Sequence, residues 1–332
     1  MAEAPPHPRE TFDWAGDEAH ERAFLSALER GRLHHAWLVV GPVGVGKATF
    51  AYRAARRLLG ARAEQSLGPL GSAPDHPVSR QIMGRAHPDL LVLQRDPEDG
   101  KSRRGIPVDE ARLLPEFFSK SPASAPYRVA IIDTADDLNP FGANAVLKTL
   151  EEPPERGVLF LVSHAPGGLL ATIRSRCRRL RVDTPEPGRA ARWVEARTAA
   201  DATDAERLLA MSRGAPGRAW HLAGDGALEA DRLAHDLLVA LPSPDDTAML
   251  AIADSFRGPA GLAKFHMFFE RLSDQVHAMA RRRATDGERG LALDRWAELW
   301  DELVAAPREA EGINLDRADV FFTTLSRLKA VG

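Results

Sequence analysis

The sequence contains one cysteine, six lysines and two tyrosines in 332 residues. A single cysteine excludes an internal disulfide framework and a cysteine-rich zinc site, so we expect no metal site. No apolar run reaches the roughly 18 residues that a membrane-spanning helix needs, and the opening MAEAPPHPRE lacks the hydrophobic stretch of a signal peptide. These absences predict a cytoplasmic protein that has no membrane partner.

The chain also lacks a strong excess of either charge, since 44 Lys and Arg stand against 47 Asp and Glu and the formal net charge is -3. This balance argues against a free-standing DNA-binding protein with a large basic surface. It is compatible with a subunit of an assembly that binds DNA jointly. With 44% apolar and 27% charged residues, the composition is that of a globular protein, and the length predicts two or three domains.

Short apolar runs alternate with helical patterns in the first half of the chain. The runs lie at 36–40, 90–93, 129–132 and 158–162. Strands that alternate with helices indicate a parallel sheet covered on both faces, and we therefore expect an α/β fold. The alternation stops near Val182, and only helical patterns follow. Two stretches without clear periodicity, an insertion at 61–88 and a charged segment at 95–105, are predicted to be loops.

A glycine-rich segment follows the first apolar run. Residues 41–47, GPVGVGK, fit the core of a P-loop and precede a helical pattern, which is the context that this motif requires. Gly41, Gly44 and Gly46 would allow backbone N–H groups to close around phosphates, and Lys47 would reach the terminal phosphates. The alternative is a glycine-rich turn that binds no ligand.

Two positions depart from the pattern of an active ATPase. Ala48 stands where the motif has the Ser or Thr that holds Mg²⁺, and the hydroxyl of Thr49 lies about 100° further round the helix. Asp133 supplies the expected Walker B carboxylate, but Thr134 follows it where ATPases of the AAA+ class have a Glu that orients water. We expect a site that binds nucleotide weakly or not at all and does not hydrolyse it. ATP is the one cofactor that the loop suggests, and Mg²⁺ is not expected.

The segment after the Walker B strand identifies a family. Residues 144–154, NAVLKTLEEPP, closely resemble the corresponding segment of bacterial DNA polymerase III clamp-loader subunits. The similarity extends upstream to GRLHHAWL at 31–38 and downstream to SRC at 175–177. It covers roughly residues 8–182.

The resemblance implies an AAA+ P-loop domain at 1–182, a small helical lid at 183–226 and a helical collar at 227–332. In this family the gamma/tau subunits carry intact Walker residues and a four-cysteine zinc module. Ala48, Thr134 and the absence of cysteines from the insertion instead resemble the delta prime branch of the family. Members of that branch support a neighbour's ATPase without hydrolysing ATP themselves.

Arg176 of the SRC motif matches the arginine finger of the family, which enters the ATP site of the adjacent subunit. By composition alone, Arg176 belongs to a basic cluster that would be solvated. The resemblance implies a hetero-pentamer with gamma/tau and delta subunits, which contacts the sliding clamp and primed DNA through the assembly. Two alternatives stay open: a catalytically active ATPase of the gamma/tau type, and a nucleotide-binding scaffold in which Arg176 is inert.

Overall fold

The computed structural model describes residues 5–95, 105–285 and 291–331. The chain forms two compact units: one comprises Ala4–Arg197 with Leu209–Ala219, and the other Thr198–Leu208 with Trp220–Gly332. The division into three domains at 182 and 226 stays a prediction, and most of the charged segment predicted at 95–105 lies outside the described residues. Of the helices described here, none has the length and apolar character to cross a membrane.

The first unit is built on a five-stranded parallel sheet with the strand order β2-β3-β4-β1-β5. The strands are β1 (Ala36–Val40), β2 (Leu90–Gln94), β3 (Arg128–Asp133), β4 (Gly157–Ser163) and β5 (Arg178–Arg181). The first four coincide with the four apolar runs, which confirms the α/β fold class. The sequence pattern does not predict β5, because Leu180 is the one buried residue among its four and the other three are arginines.

Helices connect the strands of this sheet and cover it. They are α1 (Glu18–Glu29), α2 (Lys47–Leu58), α3 (Pro77–Met83), α4 (Val108–Ala111), α5 (Leu113–Ser119), α6 (Pro140–Glu151), α7 (Ala171–Arg176) and α8 (Pro187–Glu195). The insertion predicted as loop contains α3, which starts at a proline. His76 caps this helix by accepting the backbone N–H of Val78. Two further helices follow, α9 (Ala202–Met211) and α10 (Pro216–Gly224).

The sheet has a hydrophobic core on each face, as the alternation of strands and helices predicts. Trp37 and Val39 of β1 pack into one core together with Phe50 of α2. Leu38 belongs to the other core, which includes Val146 of α6. Neighbouring side chains of a strand point to opposite faces, so this central strand is buried on both sides.

The second unit contains helices and has a core of its own. Its long helices are α11 (Ala227–Val239), α12 (Asp246–Ser255), α13 (Gly258–Thr285), α14 (Leu291–Gly312) and α15 (Arg317–Val331). Aromatic residues dominate this core, since Phe256, Phe265, Phe268 and Phe321 pack edge to face or at a tilt, with ring centroids 5.3 to 5.7 Å apart. Such ring contacts hold the helices of this unit together.

A buried ion pair joins α1 to α2 in the first unit. Arg53 binds Glu21 with two bonds, Nε to Oε1 at 2.6 Å and Nη2 to Oε2 at 3.1 Å, and both side chains are at most 2% exposed. The same carboxylate accepts the backbone N–H of Leu70. Arg53 also donates to the carbonyls of Phe12 and Leu67. One guanidinium therefore fixes α2 to three other parts of the chain.

Replacing Glu21 with Gln should lower the free energy of unfolding of this unit by about 3–5 kcal/mol, because the charge of Arg53 would stay buried without a counter-charge. Urea denaturation followed by tryptophan fluorescence measures this loss. The matched control is Glu116→Gln, which removes an exposed pair with Lys120 and should leave the unfolding midpoint unchanged. A Glu21→Gln midpoint equal to that of the control would contradict the buried pair.

Candidate functional site

The predicted phosphate loop connects the carboxyl end of β1 to the first turn of α2, which begins at Lys47. Gly44 and Gly46 have φ angles of +79° and +92°, in the left-handed region that side chains other than glycine rarely adopt. A phosphate site of this type needs backbone N–H groups of the loop and the helix N-terminus to point at the anion, and glycines permit the backbone conformations that this requires. The binding of phosphate by this loop stays a prediction.

Two other segments of the same unit lie directly on the loop. The backbone N–H of Gly217, in the first turn of α10, donates to the carbonyl of Gly44 at 2.8 Å. A Cβ added to Gly44 would come within 2.5 Å of the backbone nitrogen of Arg218, and one added to Gly46 within 2.6 Å of the indole nitrogen of Trp14. The loop glycines are thus required for packing as well as for backbone conformation.

Lys47, which is buried, and Asp133, which is partly buried, form the charged centre of the site. The ammonium of Lys47 donates to the carbonyls of Gly41 and Pro42 at 2.8 and 2.5 Å. Burial lowers the pKa of Lys47 to about 8, against the opposing influence of nearby carboxylates. Burial raises the pKa of Asp133 to about 6, while the positive charge of Lys47 lowers it and the negative charge of Asp137 raises it. Asp133 at the end of β3 therefore lies within electrostatic reach of the phosphate loop.

The structure places the two substituted positions, Ala48 and Thr134, and the neighbouring Thr49 as follows. Ala48 packs partly buried against the core of the sheet and offers no oxygen to a metal ion. Thr49 is also buried, in the next position of α2. The hydroxyl of Thr134 donates to Oδ2 of Asp137 at 3.0 Å, so its side chain is engaged within its own turn.

Asp136 is a site residue that the sequence analysis does not identify. Its carboxylate accepts the hydroxyl of Ser163 at 2.7 Å and the backbone N–H groups of His164 and Ala165. Ser163 ends β4 and pairs with Val40 of β1, directly before the phosphate loop. Asp136 thus connects the turn after β3 to the end of β4. The sequence offered one signal for this role. Asp136 is an acidic residue just after β3, and the neighbouring strand β4 ends at the polar Ser163.

These residues fit a phosphate group better than they fit Mg²⁺ with ATP. The glycine loop, the helix N-terminus and Lys47 suit an anion. A phosphate would have to replace the two carbonyls that Lys47 now contacts. Position 48 supplies no metal ligand, and within the described ranges no group of three or more His, Cys, Asp or Glu is placed to hold a metal ion.

Arg176 lies near the amino ends of the strands, whereas the phosphate loop lies at their carboxyl ends. It is the last residue of α7 and precedes β5, whose first residue, Arg178, pairs with Trp37 near the start of β1. The phosphate loop begins at Gly41, four residues further along β1, which is about 13 Å at 3.3 Å per residue. Because the strands are parallel, Arg176 lies beyond the amino end of the sheet and the phosphate loop beyond its carboxyl end.

The side chains around Arg176 differ in their contacts. Arg178 stacks over the ring of Trp37 at 4.9 Å, and Arg181 pairs with Asp183 at 2.6 Å. Cys177 is partly buried, and burial raises the pKa of its thiol to about 12. A raised pKa disfavours the thiolate, which is the nucleophilic form of cysteine.

A known protein family matches the first unit over most of its length. The model of the family described as "DNA polymerase III, delta subunit" matches residues 16–186. A DNA polymerase III subunit delta' of Pseudomonas aeruginosa is 35% identical over 213 residues, which are 63% of this chain and 62% of that protein. The corresponding subunit of Escherichia coli is 32% identical over 240 residues, 72% of this chain and 69% of that protein. The match thus spans slightly less than two thirds of the length of the first relative.

A solved structure from Thermotoga maritima also aligns with the chain. It is a DNA polymerase III gamma subunit-related protein with a TM-score of 0.43 and 18% sequence identity, and the alignment covers 92% of this chain and 99% of that one.

The charges around Asp133 predict its titration. We expect a pKa of about 6 for Asp133 in a ¹³C carboxyl NMR titration. Lys47→Met should raise this pKa, because a stabilising positive charge is removed, and Asp137→Asn should lower it, because a repelling negative charge is removed. Shifts in the same direction for both variants, or a wild-type pKa near 3.8, would contradict this charged centre.

Proposed function

The chain belongs to the DNA polymerase III delta subunit family of clamp-loader proteins, and we propose that it acts as a stator subunit of the delta prime type. In this proposal it does not hydrolyse ATP. It forms a hetero-pentamer with gamma/tau and delta subunits and supplies Arg176 to the ATP site of an adjacent gamma/tau subunit. The assembly then opens the sliding clamp and loads it onto primed DNA.

One observation carries this proposal: Arg176 and the phosphate loop lie at opposite edges of the same sheet. Arg176 therefore cannot reach phosphates bound to the loop of its own subunit. A guanidinium that acts on a phosphoryl group from this position must act on a nucleotide held by another subunit. Its permanent charge and planar set of donors suit the charge that develops on a transferring phosphoryl group.

The subunit's own site supports a role without hydrolysis. Ala48 provides no hydroxyl for Mg²⁺, and the hydroxyl of Thr134 is bonded to Asp137. A threonine cannot accept a proton from water as a glutamate can. Lys47 is satisfied by carbonyls of its own loop, and the first turn of α10 bonds to Gly44. The phosphate loop then acts as a rigid part of the subunit.

The near-neutral composition supports a role within an assembly. A formal net charge of -3 supplies no large basic surface for DNA, so contact with primed DNA would be shared among subunits. Similarity to gamma/tau-type proteins supports a common ancestry for the subunits of one ring. A DNA polymerase III subunit tau of Escherichia coli is 34% identical to this chain over 170 residues.

The isolated chain should show no magnesium-dependent ATP turnover. We expect its rate of phosphate release to equal that of the Lys47→Ala variant, since neither protein would bind ATP and Mg²⁺ in a reactive geometry. A coupled ATPase assay with purified protein measures both rates. Robust turnover that disappears in Lys47→Ala would instead establish an ATPase of the gamma/tau type.

Arg176→Ala should reduce ATP hydrolysis by a loader reconstituted with gamma/tau and delta subunits. Hydrolysis at the site that receives the finger should slow by about a thousandfold or more. The total rate should therefore fall at least by the fraction of ATP hydrolysis that this site contributes. The matched control is Arg174→Ala, which removes an exposed arginine from the same helix and should leave the rate unchanged. Equal rates for Arg176→Ala and wild type would indicate a scaffold in which Arg176 is inert.

A further inference from the structure

The guanidinium of Arg176 is held by two acceptors. Its Nη2 lies 3.1 Å from Oε1 of Glu151, the last residue of α6. Its Nη1 donates at 3.2 Å to the carbonyl of Thr172, one turn back in α7. One acceptor belongs to the helix of the arginine itself and the other to a neighbouring helix, so the guanidinium contacts both helices.

The backbones that carry this pair are anchored in one hydrophobic core. Leu150 directly precedes Glu151 and is 3% exposed, and Ile173 of α7 is fully buried in the same cluster. The ends of α6 and α7 therefore cannot move apart without opening this core. The position of the Glu151 carboxylate relative to Arg176 is set by packing, and the side chains need to adjust only locally.

The pair contributes little to the stability of the fold. The two side chains are 37% and 53% exposed, and ion pairs in such positions are weak because water and salt screen them. Glu151 also stands at the C-terminus of a helix, where the helix dipole disfavours a negative charge. Stability therefore gives no reason for a glutamate at this position. The effect of the pair is to restrict the long, flexible side chain of Arg176.

We propose that Glu151 is a positioning residue for Arg176, which holds the guanidinium ready to enter the ATP site of the adjacent subunit. This inference rests on the proposed finger role of Arg176. A guanidinium has five N–H donors; the hydrogen bond to Thr172 uses one of them, and Nη2 is in ion-pair contact with Glu151. At least three donors remain for the phosphates of a nucleotide. An arginine that is already ordered loses less conformational freedom when it contacts the transition state.

This mechanism predicts an effect on kcat and not on KM for ATP, because the finger stabilises charge that develops during phosphoryl transfer. The readout is the finger-dependent rate, defined as the rate of the wild-type loader minus the rate of the Arg176→Ala loader. Glu151→Ala should reduce this rate by about 3- to 10-fold, which corresponds to the ordering of one side chain. The KM for ATP and the melting temperature of the subunit should stay unchanged.

Two conservative variants test the geometry. Glu151→Gln keeps an acceptor oxygen at the same distance and should retain most of the finger-dependent rate. Glu151→Asp keeps the charge but is one methylene shorter, so it should behave like Glu151→Ala. The control is Glu152→Gln, which removes the neighbouring exposed carboxylate and should have no effect. Size-exclusion chromatography shows whether each loader has assembled before its rate is compared.

The outcomes separate this inference from the proposed function. If Arg176→Ala has no effect, the finger role fails and the positioning role fails with it. If Arg176→Ala slows the loader but Glu151→Ala leaves the rate unchanged, the finger role stands and the positioning role is overturned. A faster Glu151→Ala loader would also overturn it, since the ion pair would then restrain the finger. In the Arg176→Ala background, Glu151→Ala should cause no further loss.

Discussion

The buried pair of Glu21 and Arg53 is the interaction on which the arrangement of the first unit depends. A guanidinium that is 2% exposed must find acceptors for its donors, and it finds them on α1, in the segment before α1 and in the turn after α2. These acceptors hold α2 in position. Since α2 begins at Lys47, the same bonds also determine where the phosphate loop lies. Trp14, two residues after Phe12, is thereby held against Gly46.

Because the sheet is parallel, the residues of the phosphate site and Arg176 lie at opposite ends of its strands. All five strands run in one direction, so the loops at the carboxyl edge collect Lys47, Asp133, Asp136 and Ser163. The amino edge carries Arg176, together with the ends of α6 and α7. In the proposed ring, one surface of a subunit receives a neighbour's residue and another supplies one. In this chain Trp14 and the first turn of α10 pack against the phosphate loop, whereas the side chain of Arg176 is 37% exposed.

Local patterns were sufficient to predict the buried strands β1 to β4 and the helix after the glycine loop. Each of these strands has a continuous apolar run, and the helix directly follows the glycine-rich segment. The arginine-rich β5 has no such signal, because its partner strand and not its composition makes it a strand. The contacts of Trp14 and Glu21 were also not predictable, and for Asp136 the sequence offered only its place just after β3. Their partners lie 27 to 32 residues away along the chain, and a sequence pattern contains no information about contacts over such distances.

Burial of Cys177 has a practical consequence for the study of this subunit. The chain has no other thiol, and this one stays protonated at neutral pH because burial raises its pKa to about 12. Thiol-reactive dyes and spin labels attack the thiolate, so the native protein will react slowly with them. A cysteine introduced at an exposed position will react much faster. The natural sequence therefore serves as a background for placing a single fluorescent or paramagnetic probe without first removing a native residue.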